Sequence, residues 1–435
     1  MSPDETLARI GVRLADVLLP RAGVDLSRWA VVACDQYTAQ PDYWARVEDL
    51  VGDAPSTLRL VYPEVHLGEP DPQARIDAIN AAMRAYTEQR LFDTYESTLL
   101  LVRRRTAGGV VRWGVMVALD LEAYSWEAGA RTLIRATEGT ILDRIPPRKR
   151  IRENATLELP HIVVLISDPA GSVIEPLAAR ADSLTPAYDV ELMEHGGHVT
   201  GWAVPPDAVP AFADALARLH DALDPADPLL FAMGDGNHSF ATAKSCWEDL
   251  KATLSPAERE THPARWALVE IENIFDPGLE FEPIHRVLFD TSRDDFESEL
   301  ARHCASYTVS PAESVDEVMR RVESATDQTF GYGDANGYAT YTLVEPEASI
   351  PAGTLQAVID ALGAAGRDVD YIHGSRACDD IGRRPSNLSL FLPPVPKETF
   401  FASIVADGAL PRKTFSLGEA DDKRYYLEAR RIRRG

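Results

Sequence analysis

Apolar and polar positions alternate along the chain in segments that predict both helices and short strands. Helical spacing predicts helices at 4–18, 41–52, 71–92, 174–184, 207–223, 239–254, 293–303, 313–325, 354–364 and 396–406. Apolar runs and turn residues predict strands at 29–33, 99–102, 110–117, 161–167, 189–203, 228–233, 266–274, 330–333 and 338–344. Helices and hairpins mix without the regular spacing of a doubly wound sheet, which favours an α+β fold with mixed sheets and surrounding helices.

The length of the chain, 435 residues, exceeds what one ordinary hydrophobic core accommodates. We expect three parts, and their boundaries are soft because the chain contains no internal repeat and no low-complexity linker. These are an N-terminal α/β part (1–130), a catalytic core (131–290) and a C-terminal α/β part (291–435).

The composition limits the classes of partner. The formal net charge of −24 argues against binding nucleic acid or an anionic membrane through the general surface. No apolar stretch approaches the ~20 residues of a membrane span. The first residues lack the basic and apolar regions of a signal peptide, and the four cysteines are scattered, so we expect a cytoplasmic protein with reduced thiols.

Residues 234–242 form the most informative segment. They follow an apolar run and open a helical pattern, so they predict a strand, a tight Gly-rich turn and a helix start. Such a start offers unpaired N–H groups that suit phosphate, and Asp235 there can hold a metal ion or accept a proton. The alternative is structural: Asn237 or Ser239 caps the helix and His238 is a satisfied structural histidine.

A second candidate segment spans residues 135–152. Glu138 and Asp143 are carboxylates suited to magnesium or to a general base. They accompany the densest basic run of a very acidic chain, which suits a polyanion. The basic residues are Arg135, Arg144, Arg148, Lys149, Arg150 and Arg152. The alternative is a solvated surface run neutralised by nearby acids.

Two further basic pairs are weaker candidates for anion binding. His285 and Arg286 lie between apolar runs, where a structural ion pair is an equally good interpretation. Arg412 and Lys413 lie near the C-terminus, where the alternative is an exposed turn. Cys34 has no base partner nearby in sequence, which indicates a buried, inert thiol.

Four of these segments, in order, resemble the domain of unknown function 1015 family, which is related to the ParB/sulfiredoxin-like fold and to free-serine kinases. Residues 135–144 are similar to its R-H-E-x-T pattern followed by D-R, and residues 234–243 to its A-D-G-H-H-R-x-x-x-A pattern. Residues 283–286 match P-x-H-R, and residues 410–414 loosely match M-P-x-K-S-T. Asn237 and Ser239 stand where the pattern has His and Arg.

The resemblance implies a ParB/sulfiredoxin-like nucleotide-binding core with additional α/β parts. It further implies a kinase that uses ATP or ADP with Mg²⁺ to phosphorylate a small hydroxylated metabolite, with L-serine as the first guess. The alternatives are a ParB-like nucleotide hydrolase or switch and a non-catalytic metabolite-binding protein. We expect a small-molecule partner, no nucleic acid and no membrane, and a homo-oligomer is left open.

Motifs and resemblance together predict the site residues. Glu138, Asp235 and His238 are the expected catalytic residues, and Glu138 and Asp235 the expected metal ligands. The expected nucleotide-binding residues are Arg135, Arg144, Arg148, Lys149, Gly236, Asn237, Ser239, His285, Arg286, Arg412 and Lys413.

Overall fold

The computed structural model describes residues 1–127, 129–418 and 422–433. The chain forms two compact units, one built from Met1–Leu279 with Gly418–Gly435 and the other from Glu280–Leu417. This division differs from the three predicted parts, because strands from residues 111–120 and 266–273 pair within one sheet. The first unit therefore contains residues of the predicted N-terminal part and of the predicted catalytic core, and the end of the chain returns to it.

The first unit contains helices and strands in irregular alternation. Its helices are α1 (Pro3–Arg9), α2 (Leu26–Trp29), α3 (Pro41–Val51), α4 (Pro72–Glu88), α5 (Ile145–Arg152), α6 (Glu175–Ala178), α7 (Val209–Asp221), α8 (Asn237–Lys251) and α9 (Pro256–Thr261). Single 3₁₀ turns lie at Thr57–Arg59, Glu64–His66, Leu121–Ala123, Leu142–Arg144, Ala181–Ser183 and Pro263–Arg265. Its strands are β1 (Val12–Arg13), β2 (Ala15–Pro20), β3 (Val31–Val32), β4 (Phe92–Thr98), β5 (Leu100–Arg105), β6 (Val111–Asp120), β7 (Tyr124–Ser125), β8 (Ile134–Arg135), β9 (Leu157–Glu158), β10 (Val163–Ile166), β11 (Tyr188–Glu191), β12 (His198–Ala203), β13 (Phe231–Asp235), β14 (Trp266–Asn273), β22 (Tyr425–Tyr426) and β23 (Arg430–Arg431).

A large mixed sheet forms the centre of the first unit. Its main path over the described residues is β11-β12-β5-β6-β14-β10-β13-β8-β7, with β1 paired to β6. Strand β10 runs parallel to β14 and antiparallel to β13, so the sheet combines both kinds of pairing. Successive residues of β6 alternate between two hydrophobic cores: Val115 and Val117 belong to one, and Met116 and Ala118 to the other. The sheet is thus buried on both faces.

The C-terminal segment completes the first unit. Strand β22 pairs antiparallel with β3, and β23 pairs antiparallel with β9. Arg424 is buried and forms ion pairs of 2.7 Å with Glu270 and with Glu428. Residues 422–433 are therefore part of the core of this unit, although more than a hundred residues separate them from the rest of it in sequence.

The second unit pairs its strands in order β16-β18-β17-β20-β15-β19, with β21 on the first half of β15. Its strands are β15 (Phe281–Leu288), β16 (Cys304–Ala312), β17 (Thr329–Asp334), β18 (Gly337–Pro346), β19 (Val369–His373), β20 (Leu388–Phe391) and β21 (Phe415–Leu417). Its helices are α10 (Arg293–Leu300), α11 (Val315–Glu323), α12 (Pro351–Ala364), α13 (Ser375–Gly382) and α14 (Lys397–Asp407). All these neighbours run antiparallel.

The predicted mixed α/β class is confirmed, as are both hairpins, now β5–β6 and β17–β18. The predicted helix over 4–18 is wrong beyond Arg9. Gly11 adopts a left-handed φ of 71°, and Val17 and Leu18 then lie in β2, where both are buried. No helix among the described residues combines the length and hydropathy needed to cross a membrane.

Candidate active site

The turn between β13 and α8 requires glycine at its centre. Gly236 has a φ of 78°, a left-handed conformation that costs other residues about 1–2 kcal/mol. A Cβ added there would lie 3.0 Å from Cγ1 and 3.1 Å from Cα of Ile162. The Gly236 N–H donates to Asp235 Oδ1 at 2.8 Å. The turn therefore fixes the direction of the Asp235 carboxylate and begins α8 immediately after the strand.

Neither Asn237 nor Ser239 caps α8 with its side chain, in contrast to the structural alternative above, because Gly236 is the N-cap residue. The N–H groups of the first turn of α8 have no intrahelical acceptor, as in any helix, and no side chain caps them. Asn237 uses its side chain differently: its Oδ1 accepts from the Thr137 N–H at 3.2 Å. This bond ties the predicted second segment to the turn.

The loop that carries Glu138 lies on the turn. Thr137 Oγ1 donates to the Met233 carbonyl at 2.6 Å, and the Ile141 N–H donates to His238 Nε2 at 3.3 Å. These bonds hold the backbone on both sides of Glu138, which is half-buried. Two segments about a hundred residues apart thus meet at one point of the first unit.

The Asp235 carboxylate faces a lysine from the C-terminal segment. Lys423 Nζ lies 3.3 Å from Asp235 Oδ2. Burial disfavours the charged carboxylate, but the Lys423 ammonium and the nearby His161 outweigh it and hold the pKa of Asp235 below its ordinary value. Asp235 is therefore ionised at neutral pH and is a weak base.

His238 is neutral at physiological pH. Burial, reinforced by the charges of Arg144 and Arg148, lowers the pKa of His238 to about 4. An unprotonated Nε2 agrees with its role as acceptor for the Ile141 N–H. His238 can thus take part in hydrogen bonding at this site, but it does not supply positive charge.

Positive charge at the turn comes from α5 and the residue before it. The Arg144 side chain is exposed, and Arg148 pairs with Glu64 while its Nη1 donates to the Arg144 carbonyl at 2.9 Å. Both guanidinium groups act on the pKa of His238, so both lie within electrostatic range of the turn. The predicted basic run and the predicted turn therefore share one region.

A cavity of about 150 Å³ opens beside the start of α8. Arg148, Glu64 and Ser239 contribute polar groups to its lining. Apolar side chains form much of the remaining wall; they include Leu60, Val61, Leu67, Met83, Ile151 and Leu268. A cavity that is apolar with a few convergent polar groups is typical of a small-molecule site.

Two predicted nucleotide-binding residues of the first unit lie elsewhere. Arg135 forms an ion pair with Asp227 and donates to the Pro228 carbonyl at 3.2 Å, at the opposite end of β13 from the turn. Lys149 forms an ion pair of 2.5 Å with Asp249, three turns along α8. Both cations are thus engaged in ion pairs away from the turn.

The remaining predicted residues belong to the second unit. His285 Nδ1 accepts from the Leu392 N–H at 3.1 Å, and burial lowers the pKa of His285 to about 4. Arg286 is fully buried, and its guanidinium lies 5.0 Å from the ring centre of Tyr371. These contacts are those of structural residues within β15.

Arg412 and Lys413 lie in the exposed turn before β21. The ammonium of Lys413 lies 5.4 Å from the ring centre of Tyr371, the same ring that Arg286 approaches. Two predicted cations of the second unit, Arg286 and Lys413, thus lie near the ring of one tyrosine.

Sequence reasoning missed three residues of this region: His161, Lys423 and Tyr426. His161 precedes β10, Lys423 pairs with Asp235, and Tyr426 Oη lies 2.9 Å from His161 Nδ1. The available signal was weak: a histidine at the start of an apolar run and a basic-aromatic stretch near the C-terminus. Among the described residues, no three His, Cys, Asp or Glu side chains cluster as a ready metal site.

The fold and the site define a mixed α/β protein in which carboxylates and cations meet at one strand–turn–helix. The chain belongs to the DUF1015 family, described as proteins of unknown function, whose model matches residues 18–364. The resemblance found in the sequence is thereby confirmed. No curated protein matches the chain.

Several solved structures are similar in fold. A free serine kinase mutant in complex with AMP is 9% identical, with a TM-score of 0.39, over 73% of this chain and 91% of that chain. SbnI with a C-terminal truncation, from Staphylococcus aureus, is 9% identical, with a TM-score of 0.35, over 70% of this chain and 82% of that chain. A conserved hypothetical protein from Pyrococcus furiosus is 11% identical, with a TM-score of 0.35, over 73% of this chain and 95% of that chain. Likenesses of this size carry no argument about function.

Proposed function

We propose that this protein is a nucleotide-dependent kinase that phosphorylates the hydroxyl group of a small metabolite. The observation that carries the proposal is the meeting of three features beside one cavity. These are the ionised Asp235, the start of α8 and the cations of Arg144 and Arg148. Phosphoryl transfer depends mainly on positioning and on neutralising phosphate charge, and this combination supplies both.

The start of α8 is the proposed phosphate site. Its first N–H groups and the positive end of the helix dipole favour an anion. Arg144 is exposed nearby and is available to a phosphate tail, and Arg148, which Glu64 already pairs, lines the adjoining cavity. Arg135 and Lys149 are not part of the proposed site, since Asp227 and Asp249 engage them.

The two carboxylates take different proposed roles. Asp235 is held ionised by Lys423, and therefore suits a magnesium ligand better than a general base. Magnesium commonly binds through one or two protein carboxylates together with substrate phosphates and water, so Asp235 fits it. When bound, the ion would neutralise phosphate charge. Glu138, on the loop against the turn, is the proposed base for the acceptor hydroxyl.

The acceptor is proposed to bind in the cavity beside Ser239. L-serine is the first acceptor to test because of the motifs that the chain shares with its family. The wild-type protein, incubated with ATP or ADP, Mg²⁺ and L-serine, should form phosphoserine, detected by ³¹P NMR and mass spectrometry. Other small alcohols and amino alcohols form the rest of the panel.

The Asp235→Asn variant should lower the rate of product formation by about 100-fold or more, the typical effect of losing one transition-state charge interaction. Asp249→Asn is the matched control: it removes a carboxylate from α8, the helix that follows Asp235, and the partner of that carboxylate is Lys149. Its rate should stay within about twofold of wild type. Absence of a phosphorylated product across the panel would contradict the proposal, and nucleotide consumption without such a product would identify a hydrolase.

A further inference from the structure

A chain of hydrogen-bonding groups runs from the start of α8 into the core of the first unit. Ser239 Oγ lies 3.1 Å from His161 Nε2, and His161 Nδ1 lies 2.9 Å from Tyr426 Oη. The Cys34 N–H donates to Tyr426 Oη at 3.1 Å. Ser239, His161, Tyr426 and Cys34 all line the cavity described above. Covalent catalysis commonly uses this arrangement: a nucleophile, a base within hydrogen-bond reach of it, and a third group that orients the base.

The contacts of Tyr426 are compatible with a direction of the hydrogen bonds that makes His161 a base for Ser239. Its hydroxyl is deeply buried, and burial together with the hydrogen bond to the Cys34 side chain raises the pKa of Tyr426 well above its ordinary value. When the tyrosine hydrogen points to Cys34 Sγ, Oη can accept from both the Cys34 N–H and His161 Nδ1–H. His161 Nε2 then carries the lone pair that faces the Ser239 hydroxyl.

The surroundings favour a serine that reacts with phosphorus. Asp235 and His161 lie within electrostatic range of each other, so the carboxylate stabilises the imidazolium that forms when His161 takes a proton. Arg148 lines the same cavity, and Ser239 is in the first turn of α8, whose N–H groups favour an anion. Cations around a nucleophile neutralise a phosphoryl group, whereas an acyl group does not require them.

We propose that Ser239 is a covalent phosphoryl carrier, with His161 as its general base and Tyr426 as the residue that positions His161. This inference rests on the proposed function and adds an intermediate to it: the phosphoryl group passes from the nucleotide to Ser239, and from Ser239 to the acceptor. The substrate class of the first step is a nucleoside polyphosphate, and that of the second is a small alcohol.

Both steps balance. In the first, Ser239 Oγ attacks the terminal phosphorus and forms an O–P bond, while the bond from that phosphorus to the bridging oxygen breaks. The electron pair leaves with the nucleotide, which is one phosphate shorter, and the serine proton passes to His161 Nε2. In the second, the acceptor oxygen attacks the same phosphorus, Ser239 Oγ leaves and recovers its proton from His161, and the acceptor proton passes through Glu138 to solvent.

The experiment is intact-protein mass spectrometry after incubation with ATP or ADP and Mg²⁺ in the absence of acceptor. Wild type should gain the mass of one phosphoryl group, mapped by peptide analysis to Ser239, and L-serine should remove it. Ser239→Ala should show no adduct. Ser245→Ala, a serine replacement later in α8, should form the adduct at the wild-type rate.

Two variants separate the roles of the partners. His161→Gln should slow adduct formation by about 100-fold or more, the usual contribution of a general base. Tyr426→Phe keeps the ring and removes only the hydroxyl; it should slow adduct formation while the nucleotide Kd, measured by calorimetry, stays unchanged. A structural role alone would alter the Kd and the melting temperature together with the rate.

Failure of this inference is distinguishable from failure of the proposed function. Phosphoserine formation without an adduct, or full activity in Ser239→Ala, would overturn the carrier role and leave the kinase standing. Absence of both adduct and product would overturn both. p-Nitrophenyl acetate is the probe for acyl chemistry, and acylation of Ser239 without any phosphoryl adduct would overturn the assignment to phosphorus.

Discussion

Asp235 owes its charge to a residue from the far end of the chain. The Lys423 ammonium lies 3.3 Å from its carboxylate, and without it burial would be the main influence and would raise the pKa of Asp235. The carboxylate therefore reports on whether the C-terminal segment is in place. The proposed metal ligand must be unprotonated, so this single contact would couple the proposed chemistry of the turn to the packing of residues 422–433.

Replacing Lys423 by Gln should raise the pKa of Asp235, because the largest favourable charge is lost. The pKa of Asp235 lies below its ordinary value in the folded protein, so its ionisation stabilises the fold above that ordinary value, and this stabilisation is lost as pH falls. The variant should lose about 1–3 kcal/mol of unfolding free energy at pH 7. This loss lies between the typical cost of breaking an exposed ion pair and that of breaking a buried one. ¹³C NMR titration and urea denaturation measure the two effects.

The matched control for Lys423→Gln is Lys149→Gln, which breaks the ion pair with the more exposed Asp249. We expect a change of less than about 1 kcal/mol there. An unchanged Asp235 titration in Lys423→Gln would show that the ion pair does not govern the carboxylate.

His238 gives a second pH-dependent effect at the residue scale. Its pKa of about 4 lies below the ordinary value for histidine, so the unfolded chain binds more protons than the folded one between these two values. Its contribution to stability should therefore be complete above about pH 6.5 and should fall towards pH 4. His238→Gln should reduce the loss of unfolding free energy between pH 7 and pH 5, measured by urea denaturation.

NMR titration of the His238 ring tests the cause of its low pKa. Arg148→Gln should raise the pKa towards the ordinary value, since the guanidinium opposes protonation. Arg218→Gln, on α7, is the control cation and should leave the titration unchanged. A titration near pH 6.5 in the wild-type protein would contradict the buried, neutral state of His238.

At the scale of elements, the junction of β13 and α8 depends on one residue without a side chain. Gly236→Ala should cost about 1–2 kcal/mol for the left-handed φ and more for the contact with Ile162. Gly109→Ala separates these two effects, because Gly109 also has a positive φ, of 83°, but a Cβ there would meet nothing within 4 Å. Urea denaturation should show the larger loss for Gly236→Ala, together with weaker nucleotide binding. Equal losses would contradict a steric role for Ile162.

The same junction shows what local sequence can predict. The apolar run before Gly234 and the Gly-Asp-Gly composition predicted strand, turn and helix, and the structure confirms β13 and α8. These features depend on neighbours in sequence. The helix predicted over 4–18 failed because Leu14, Val17 and Leu18 fit both a helical face and a strand, and only their pairing partners in β4 and β6 decide between the two.

The partners of the turn were predictable only in part. Glu138 and Arg144 stood out because they lie in a motif with other charged residues. His161, Lys423 and Tyr426 reach the turn through sheet topology, which joins β10 to β13 and β22 to β3. No local pattern encodes such long-range contacts, so the residues that set the charge of Asp235 and orient Ser239 remained invisible in the sequence.

At the scale of the whole molecule, the second unit is an insertion into the first. Phe281 and Leu417 are paired neighbours at the base of the second unit, so the chain enters and leaves it at adjacent positions. Deleting residues 280–417 and joining Leu279 to Gly418 through a short Gly-Ser linker should leave the first unit folded. Circular dichroism, thermal melting and nucleotide titration check this expectation.

The control for that deletion is a chain that ends at residue 417 and so keeps the second unit but loses β22, β23 and Lys423. The first unit of this shortened chain should no longer melt cooperatively. The buried carboxylates of Glu270 and Glu158 lose their partners Arg424 and Arg430 when the C-terminal segment is removed. Stable folding of the first unit in this control would contradict the role assigned to the C-terminal segment.

The first unit is built from two separate stretches of the chain, and this has a consequence for its folding during translation. The ribosome synthesises residues 1–279 and then the whole second unit before residues 422–433. Strands β3 and β9 therefore lack their pairing partners β22 and β23 during most of translation. During translation Asp235 has no lysine and His161 has no tyrosine. A nascent or prematurely terminated chain would therefore lack these contacts at the turn and would depend on chaperones. Only a chain that includes residues 422–433 would form the proposed active site.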